Sequence, residues 1–243
     1  MAKKGESKGQ KRLSVAKVRF LPRKKSTWTI RGRAGPHSSD SSVPLGFALR
    51  ELLKVCGTMK EVKFMLRERI VIVNGKAASD YRLAVGLFDI VEITKEKKRY
   101  RAMFDNKARL FFREIDIKGK TETLVKVRGK SVLKKGKVQL LTNSGTTLLA
   151  QGKNVKVGDS ILLGLPKNNF TGTYAMKEGM LAYVIGGTHA GTIAKIKGII
   201  PGTMVRKTSI TLEGKGTEFK TVDKNVFVIG EKEAAIDMGK EAA

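Results

Sequence analysis

Residues 44–94 read PLGFALRELLKVCGTMKEVKFMLRERIVIVNGKAASDYRLAVGLFDIVEIT. Leu45, Leu49, Leu52 and Cys56 recur at i, i+4, i+7 and i+11, which lines apolar side chains along one face of a helix. Gly57 is the expected stop, because glycine enters the left-handed C′ conformation at little steric cost. Thr58-Met59-Lys60-Glu61 has the form of a capping box, in which hydroxyl and carboxylate satisfy each other's orphan backbone donors. Met59, Val62 and Leu66 give the second helix its own apolar stripe. Ile70-Val71-Ile72-Val73 is a short β-branched run, Asn74-Gly75 is a hairpin turn, and Ile90-Val91-Glu92-Ile93 closes the unit as a strand. Two capped helices followed by a small hairpin are predicted.

The polar side of this unit is cationic. Arg50 and Lys54 lie four apart on the first helix, while Lys60, Lys63 and Arg67 share a face of the second, with Arg69 and Lys76 beyond it. A charged helix face is commonly just a solvated one, so composition has to decide. The chain has 243 residues, with 49 Lys plus Arg against 22 Asp plus Glu and a formal net charge of +27. Self-repulsion on that scale calls for a polyanionic partner, and nucleic acid leads an anionic membrane surface. No apolar run approaches the roughly 18 residues that span a bilayer, and the basic amino terminus lacks the apolar segment of a secretory signal. A cytoplasmic location is expected. The single cysteine, Cys56, excludes an internal disulfide and a cysteine-rich zinc site; its place on an apolar helix face suits packing.

Outward from the helix pair, residues 1–42 read as a basic arm. Lys11, Arg12, Arg23, Lys24, Lys25, Arg31 and Arg33 are among its cations, Glu6 is the one acid before Arg33, and apolar residues are sparse and unperiodic. Burial could not offset ordering entropy in isolation, so the arm is expected to stay disordered until it follows a phosphate backbone. Trp28, the only tryptophan, has two readings: stacking on a base, or anchoring the arm against residues 43–94.

After Thr94 comes another basic stretch that includes Arg99, Arg101 and Arg109. From Leu110 to about Leu165 short strands alternate with turns and few helix signals, which argues a small β domain over residues 95–178. Residues 179–230 read as a third unit. Leu181, Tyr183 and Ile185 alternate as a strand, Gly186–Gly191 form a glycine-rich loop holding His189, and Ile193–Lys197 return. Clustered glycines allow close backbone approach to a phosphate or base, and His189 is either an RNA contact or a solvent-exposed loop residue. Residues 231–243 form a short acidic tail. The fold class expected is α+β and multi-domain.

No catalytic apparatus stands out. Gly186–Gly191 has the G-x-x-x-x-G spacing of a phosphate loop, but Thr192-Ile193 stands where lysine and a hydroxyl residue are needed. His37 and His189 are the only histidines and lack partners at metal-ligand spacing. No cofactor, metal or small-molecule substrate is expected.

Several stretches carry a family resemblance. Val71-Ile72-Val73-Asn74-Gly75-Lys76 after a helix pair resembles the S4-type RNA-binding domain, and residues 179–197 resemble the KOW motif of small SH3-like barrels. Lys11-Arg12-Leu13, Gly35-Pro36-His37, Val43-Pro44-Leu45 and the G-x-x-D-V-x-x-I-like run Gly86–Ile93 are similar to landmarks of the small-subunit ribosomal protein S4e family of archaea and eukaryotes. Tyr100-Arg101 with Asp105-Asn106-Lys107-Ala108-Arg109 continues that likeness, with Ala108 in place of the usual glycine, as does Val155–Leu163. The resemblance implies a structural ribosomal protein, archaeal in its compact length, that binds small-subunit ribosomal RNA beside neighbouring ribosomal proteins. The competing readings are an RNA-modifying enzyme with this domain as an appendage, or a ribosome-associated stress factor. The first needs a catalytic α/β domain for which the chain after Thr94 shows no strand-helix alternation.

Overall fold

In a computed structural model, residues 8–116, 121–150, 154–204, 206–214 and 216–238 are described. The chain opens with a two-stranded ribbon, β1 (Gly9–Lys11) against β2 (Trp28–Ile30). A short strand β3 (Val43–Pro44) leads into α1 (Leu45–Phe47), which continues as a π-helical turn over Ala48–Leu52. The first helix is thus shorter than its apolar spacing predicts. Leu53 N–H reaches back five residues to Ala48 O at 2.8 Å, and Lys54, at φ 54°, takes the left-handed position expected of Gly57. Widening the turn ends the helix three residues early, yet Cys56 remains buried, its Sγ 3.0 Å from Met65 Sδ.

Helix α2 (Met59–Arg67) begins where the sequence predicts. Glu61 N–H donates to Thr58 Oγ1 at 3.3 Å, and Glu61 Oε2 accepts from Gly57 N–H at 2.8 Å and from Thr58 N–H at 3.4 Å. Those backbone donors hold the Glu61 carboxyl below its ordinary pKa, the Gly57 N–H having the largest effect. Val62 and Leu66 are buried, and Lys60, Lys63 and Arg67 are exposed on the opposite side. Strands β4 (Val71–Val73) and β5 (Lys76–Ala77) flank the Asn74-Gly75 turn, whose φ values of 50° and 74° are both left-handed, as a tight hairpin requires. β6 (Ala84–Val85) pairs with β3, and β7 (Ile90–Ile93) pairs with β4.

The sheet does not stop at Thr94. β8 (Lys98–Phe104) and β9 (Leu110–Ile115) extend it to the antiparallel order β5-β4-β7-β8-β9. The boundary drawn at residue 94 is therefore misplaced. The basic stretch after Thr94 reads as the start of a separate β domain, whereas Ala102, Met103 and Phe104 are buried strand residues carrying the first module's core forward.

β10 (Glu122–Val132), β11 (Val138–Thr142), β12 (Thr147–Leu149), β13 (Ser160–Gly164) and β14 (Asn169–Tyr174) form a second five-stranded antiparallel sheet, ordered β12-β11-β10-β13-β14. Its own core gathers Val125, Val127, Leu140, Val155, Ile161 and Leu163. The third sheet has β15 (Leu181–Val184), β16 (Ile193–Ile200), β17 (Ser209–Gly214), β18 (Thr217–Val222) and β19 (Val226–Gly230) in the order β18-β17-β16-β15-β19.

This last sheet is buried on two sides where it meets the first. Ala182, Val184, Val226 and Val228 face its own core, whereas Tyr183, Phe227 and Ile229 join the cluster around Phe47, Phe88 and Met103. Phe88 stands 5.7 Å from Tyr183 and 5.2 Å, edge to face, from Phe227. Tyr183 Oη donates to Phe104 O at 2.6 Å and accepts Phe104 N–H at 3.0 Å. Burial carries the Tyr183 pKa up to about 12 even though the Phe104 hydrogen bond pulls it down. Lys126 Nζ joins the second and third sheets through Asp223 Oδ1 at 2.5 Å, Asp223 O at 2.8 Å and Val226 O at 2.9 Å. Part of the acidic tail is packed as well, with Ile236 buried in the shared core.

Candidate nucleic-acid interface

The arm is where sequence and structure differ most. From residue 8 onward it lies folded on the helix pair, and Val15, Leu21 and Ile30 enter the first module's core. Two arginines hold it there. Arg12 is 5% exposed, its Nη1 donating to Pro22 O at 2.9 Å, its Nε to Trp28 O at 3.4 Å, and its Nη2 lying 3.7 Å from Glu51. Arg19 donates through Nε to Ser42 O at 3.2 Å and through Nη1 to Ile30 O at 3.4 Å. Burial lowers the Arg19 pKa, with Asp40 opposing it. Disorder was expected because cations and few apolar residues look unable to pack. Here the cations themselves bond the arm's carbonyls, and three well-placed apolar residues suffice.

Of the cations that sequence marks as RNA-facing, most are accessible. Lys11, Arg23, Lys24, Lys25, Arg31, Arg33, Lys54, Lys60, Lys63, Arg67, Arg69 and Lys76 are exposed, and Arg50, Arg99 and Arg109 are partly so. Several are already engaged. Arg33 lies 3.4 Å from Asp80, Arg50 2.8 Å from Glu51 and Arg99 2.9 Å from Glu92, while the Arg109 guanidinium sits 4.8 Å from the Phe20 ring centre. Arg12 and Arg101 are withdrawn from the surface. Arg101 is 1% exposed, donates to Glu122 O at 2.8 Å, and has its pKa pushed down to about 10 by burial against the pull of Asp237 and Glu122. It is covered by the second sheet, whose strand β10 begins at the Glu122 that accepts its hydrogen bond.

His189 is exposed but stacks on Phe219 at 4.0 Å. The glycines beside it are not all open to a ligand. A side-chain carbon at Gly191 would stand 2.9 Å from the Asp105 carbonyl carbon, so this glycine is spent on packing the loop against the β8–β9 turn.

A buried polar constellation sits between the first two sheets, and sequence reasoning did not assemble it. Asp89 Oδ1 accepts from Asn74 Nδ2 at 2.8 Å, and Oδ2 accepts from Gly86 N–H at 2.8 Å. His37 Nε2 lies 2.8 Å from the same Oδ2, close enough for an ion pair though short of a well-aligned hydrogen bond. Asn74 Oδ1 in turn accepts Ile90 N–H at 2.9 Å. Burial pushes the His37 pKa down, but the adjacent Asp89 carboxylate more than offsets that and holds it above its ordinary value. Gly86 is required because a side-chain carbon there would fall 2.3 Å from His37 Nδ1. Phe88, between them, is held at φ 62°, its N–H on Ala102 O and its carbonyl accepting Thr123 Oγ1. Three short sequence runs, Gly35-Pro36-His37, Asn74-Gly75 and Gly86–Asp89, are thus one structural joint. Each was visible in the sequence; what was missing is that all three serve a single carboxylate.

Among the described residues no group of three or more His, Cys, Asp or Glu could hold a metal ion, and no helix is long and apolar enough to cross a membrane.

Fold and surface together define a class: a small, mostly β protein of linked antiparallel sheets, one carrying a capped helix pair, with an exposed cationic coat. A profile described as Ribosomal family S4e matches residues 96–170. The small ribosomal subunit protein eS4 of Archaeoglobus fulgidus is 36% identical over 239 residues, covering 95% of this chain and 97% of that protein. Its counterpart in Methanosphaera stadtmanae is 32% identical over 98% of both chains. The crystal structure of the 30S ribosomal protein S4e from Thermoplasma acidophilum aligns with a TM-score of 0.68 at 27% identity, covering 79% of this chain and 97% of that one. The chain belongs to the ribosomal S4e family.

Proposed function

We infer that this chain is a structural constituent of the small ribosomal subunit, acting in translation as a scaffold for RNA and not as an enzyme. The observation that carries the reading is near-full-length similarity to archaeal eS4 proteins, joined to a net charge of +27 whose cations are largely exposed. Its partners in this reading are small-subunit ribosomal RNA and adjoining ribosomal proteins, and its place is the cytoplasmic ribosome.

The face of α2 bearing Lys60, Lys63 and Arg67, together with Arg69 and Lys76 on the following turns, is the proposed principal RNA surface. Lys11, Arg23, Lys24, Lys25, Arg31 and Arg33 on the folded arm extend it. Lysine and arginine contacts to phosphates supply most of the affinity, and rigid presentation by helix and ribbon supplies shape recognition of folded RNA. The third sheet, with its Gly186–Gly191 loop and His189, is the module read as KOW-like, and it adds a further contact. An appended RNA-modifying activity finds no support, since the described residues after Thr94 are antiparallel sheets without a helical layer.

The test is the behaviour of the endogenous protein. In a high-salt gradient it should remain with the small subunit at near one copy per particle. A substoichiometric presence, or release into the free-protein fraction, would assign it to a transient factor.

A further inference from the structure

Trp28 is a large aromatic whose exposed position the scaffold reading leaves unexplained. It is 61% exposed, although an indole buries more apolar area than almost any other side chain and is normally largely covered. Its backbone is fixed by pairing with Lys11 across the ribbon and by Arg12 Nε and Ser26 Oγ, which donate to its carbonyl at 3.4 Å each. Gly9 lies beneath the ring, where a side-chain carbon would approach Cε3 to 3.5 Å, so the indole is backed by main chain. In front of it is an open cleft of about 350 Å³ between the ribbon and α2. That volume is at the lower end of the ~300–1,000 Å³ typical of small-ligand sites.

The lining of the cleft combines flat rings and cations. Tyr81 stands on the far wall with Lys63 Nζ 5.5 Å from its ring centre, and Lys8 and Arg50, the latter held by Glu51, complete the rim. We propose that this cleft receives one unpaired nucleotide of a folded RNA, its base stacked on the Trp28 indole and its phosphate met by Lys8, Arg50 and Lys63. The proposal rests on the RNA-binding reading above and specifies what kind of RNA element this corner takes.

Two chemical arguments select that occupant. An acidic peptide would satisfy the cations but leave the indole and phenol faces wet, whereas a nucleotide carries a planar apolar face and an anion a few bonds apart. A base inside a duplex already has both faces stacked, so only a bulged, looped or terminal base can use the ring.

Trp28 is the only tryptophan in the chain, so emission of the full-length protein reports on this cleft alone. Titration at low salt with a short oligoadenylate should quench it saturably, while an RNA duplex of equal length and an oligoglutamate should bind without comparable quenching. By anisotropy, Trp28→Ala should weaken oligoadenylate binding about 5- to 150-fold, the range that loss of one stacked base gives. Duplex affinity should be unchanged, and Trp28→Phe should restore most of the loss. An unquenched oligoadenylate complex, equal losses on strand and duplex, or quenching by oligoglutamate would each overturn the assignment. If neither RNA binds, the RNA-binding reading fails with it; if both bind and Trp28 stays silent, only the cleft assignment fails.

Discussion

Removing the Asp89 carboxylate should do more damage than removing any of the surface cations. Asp89→Ala leaves the Gly86 N–H, the Asn74 amide and the His37 imidazole facing one another without an acceptor, in a site where the His37 and Asp89 side chains are 5% and 4% exposed. Breaking a buried charge pair by deleting one member costs about 3–5 kcal/mol. At roughly 2–4 °C per kcal/mol for a chain of this size, the melting temperature should fall by about 6–20 °C. His37→Ala should cost less, because Asp89 keeps its two hydrogen-bond donors. The pH dependence has a definite sign. The folded-state pKa of His37 is raised, so its contribution is complete below the unfolded value of about 6.5 and fades as pH climbs through the folded one. Melts followed by circular dichroism across that interval should show the gap between wild type and His37→Ala narrowing as pH rises. A melting temperature for Asp89→Ala equal to that of wild type, or a gap independent of pH, would refute the proposed joint.

Replacing Lys60, Lys63 and Arg67 together by glutamate should abolish binding to small-subunit ribosomal RNA while leaving the melt nearly unmoved, because all three are exposed; filter binding beside circular dichroism checks both halves. Wild-type affinity should fall about a thousandfold or more between 50 and 200 mM salt if six or more phosphates are neutralised. Tyr183→Phe strands Phe104 N–H and C=O in a buried joint and should destabilise by about 1–3 kcal/mol, seen as faster hydrogen exchange at Phe104. Limited proteolysis of the free protein should spare the segment from residue 8 to residue 42, since Arg12 and Arg19 tie it down.

What the sequence disclosed follows from the reach of its signals. The capping box at Thr58 and Glu61, the Asn74-Gly75 hairpin and strands such as Ile90–Ile93 are local devices, and each stands where the spacing put it. Features dictated by distant partners were hidden. A run of basic residues gave no sign that Arg12 and Arg19 would turn inward to bond carbonyls, or that Arg101 would occupy an interior strand. The tight contact of Gly86 with His37 joins positions far apart in the chain. Tyr183 read as one member of an alternating strand, and nothing local indicated that its other face would be covered by Phe104 and Phe88. The cationic surface was legible as a quantity; which cations stay outside was decided by tertiary packing.

The aromatic contact of Phe88 with Tyr183 and Phe227, and the placing of Ile236 in the same cluster, have a bearing on biogenesis. The apolar heart of the first module is closed by side chains encoded near the opposite end of the chain. During synthesis, then, the helix pair emerges with one flank still open to water, and it is sealed only after the last strand has left the exit tunnel. Until that moment the nascent polypeptide offers a greasy surface set amid dense positive charge, the sort of target a holding chaperone would shield. Truncation before Phe227 should therefore yield an aggregation-prone fragment instead of a shorter working protein.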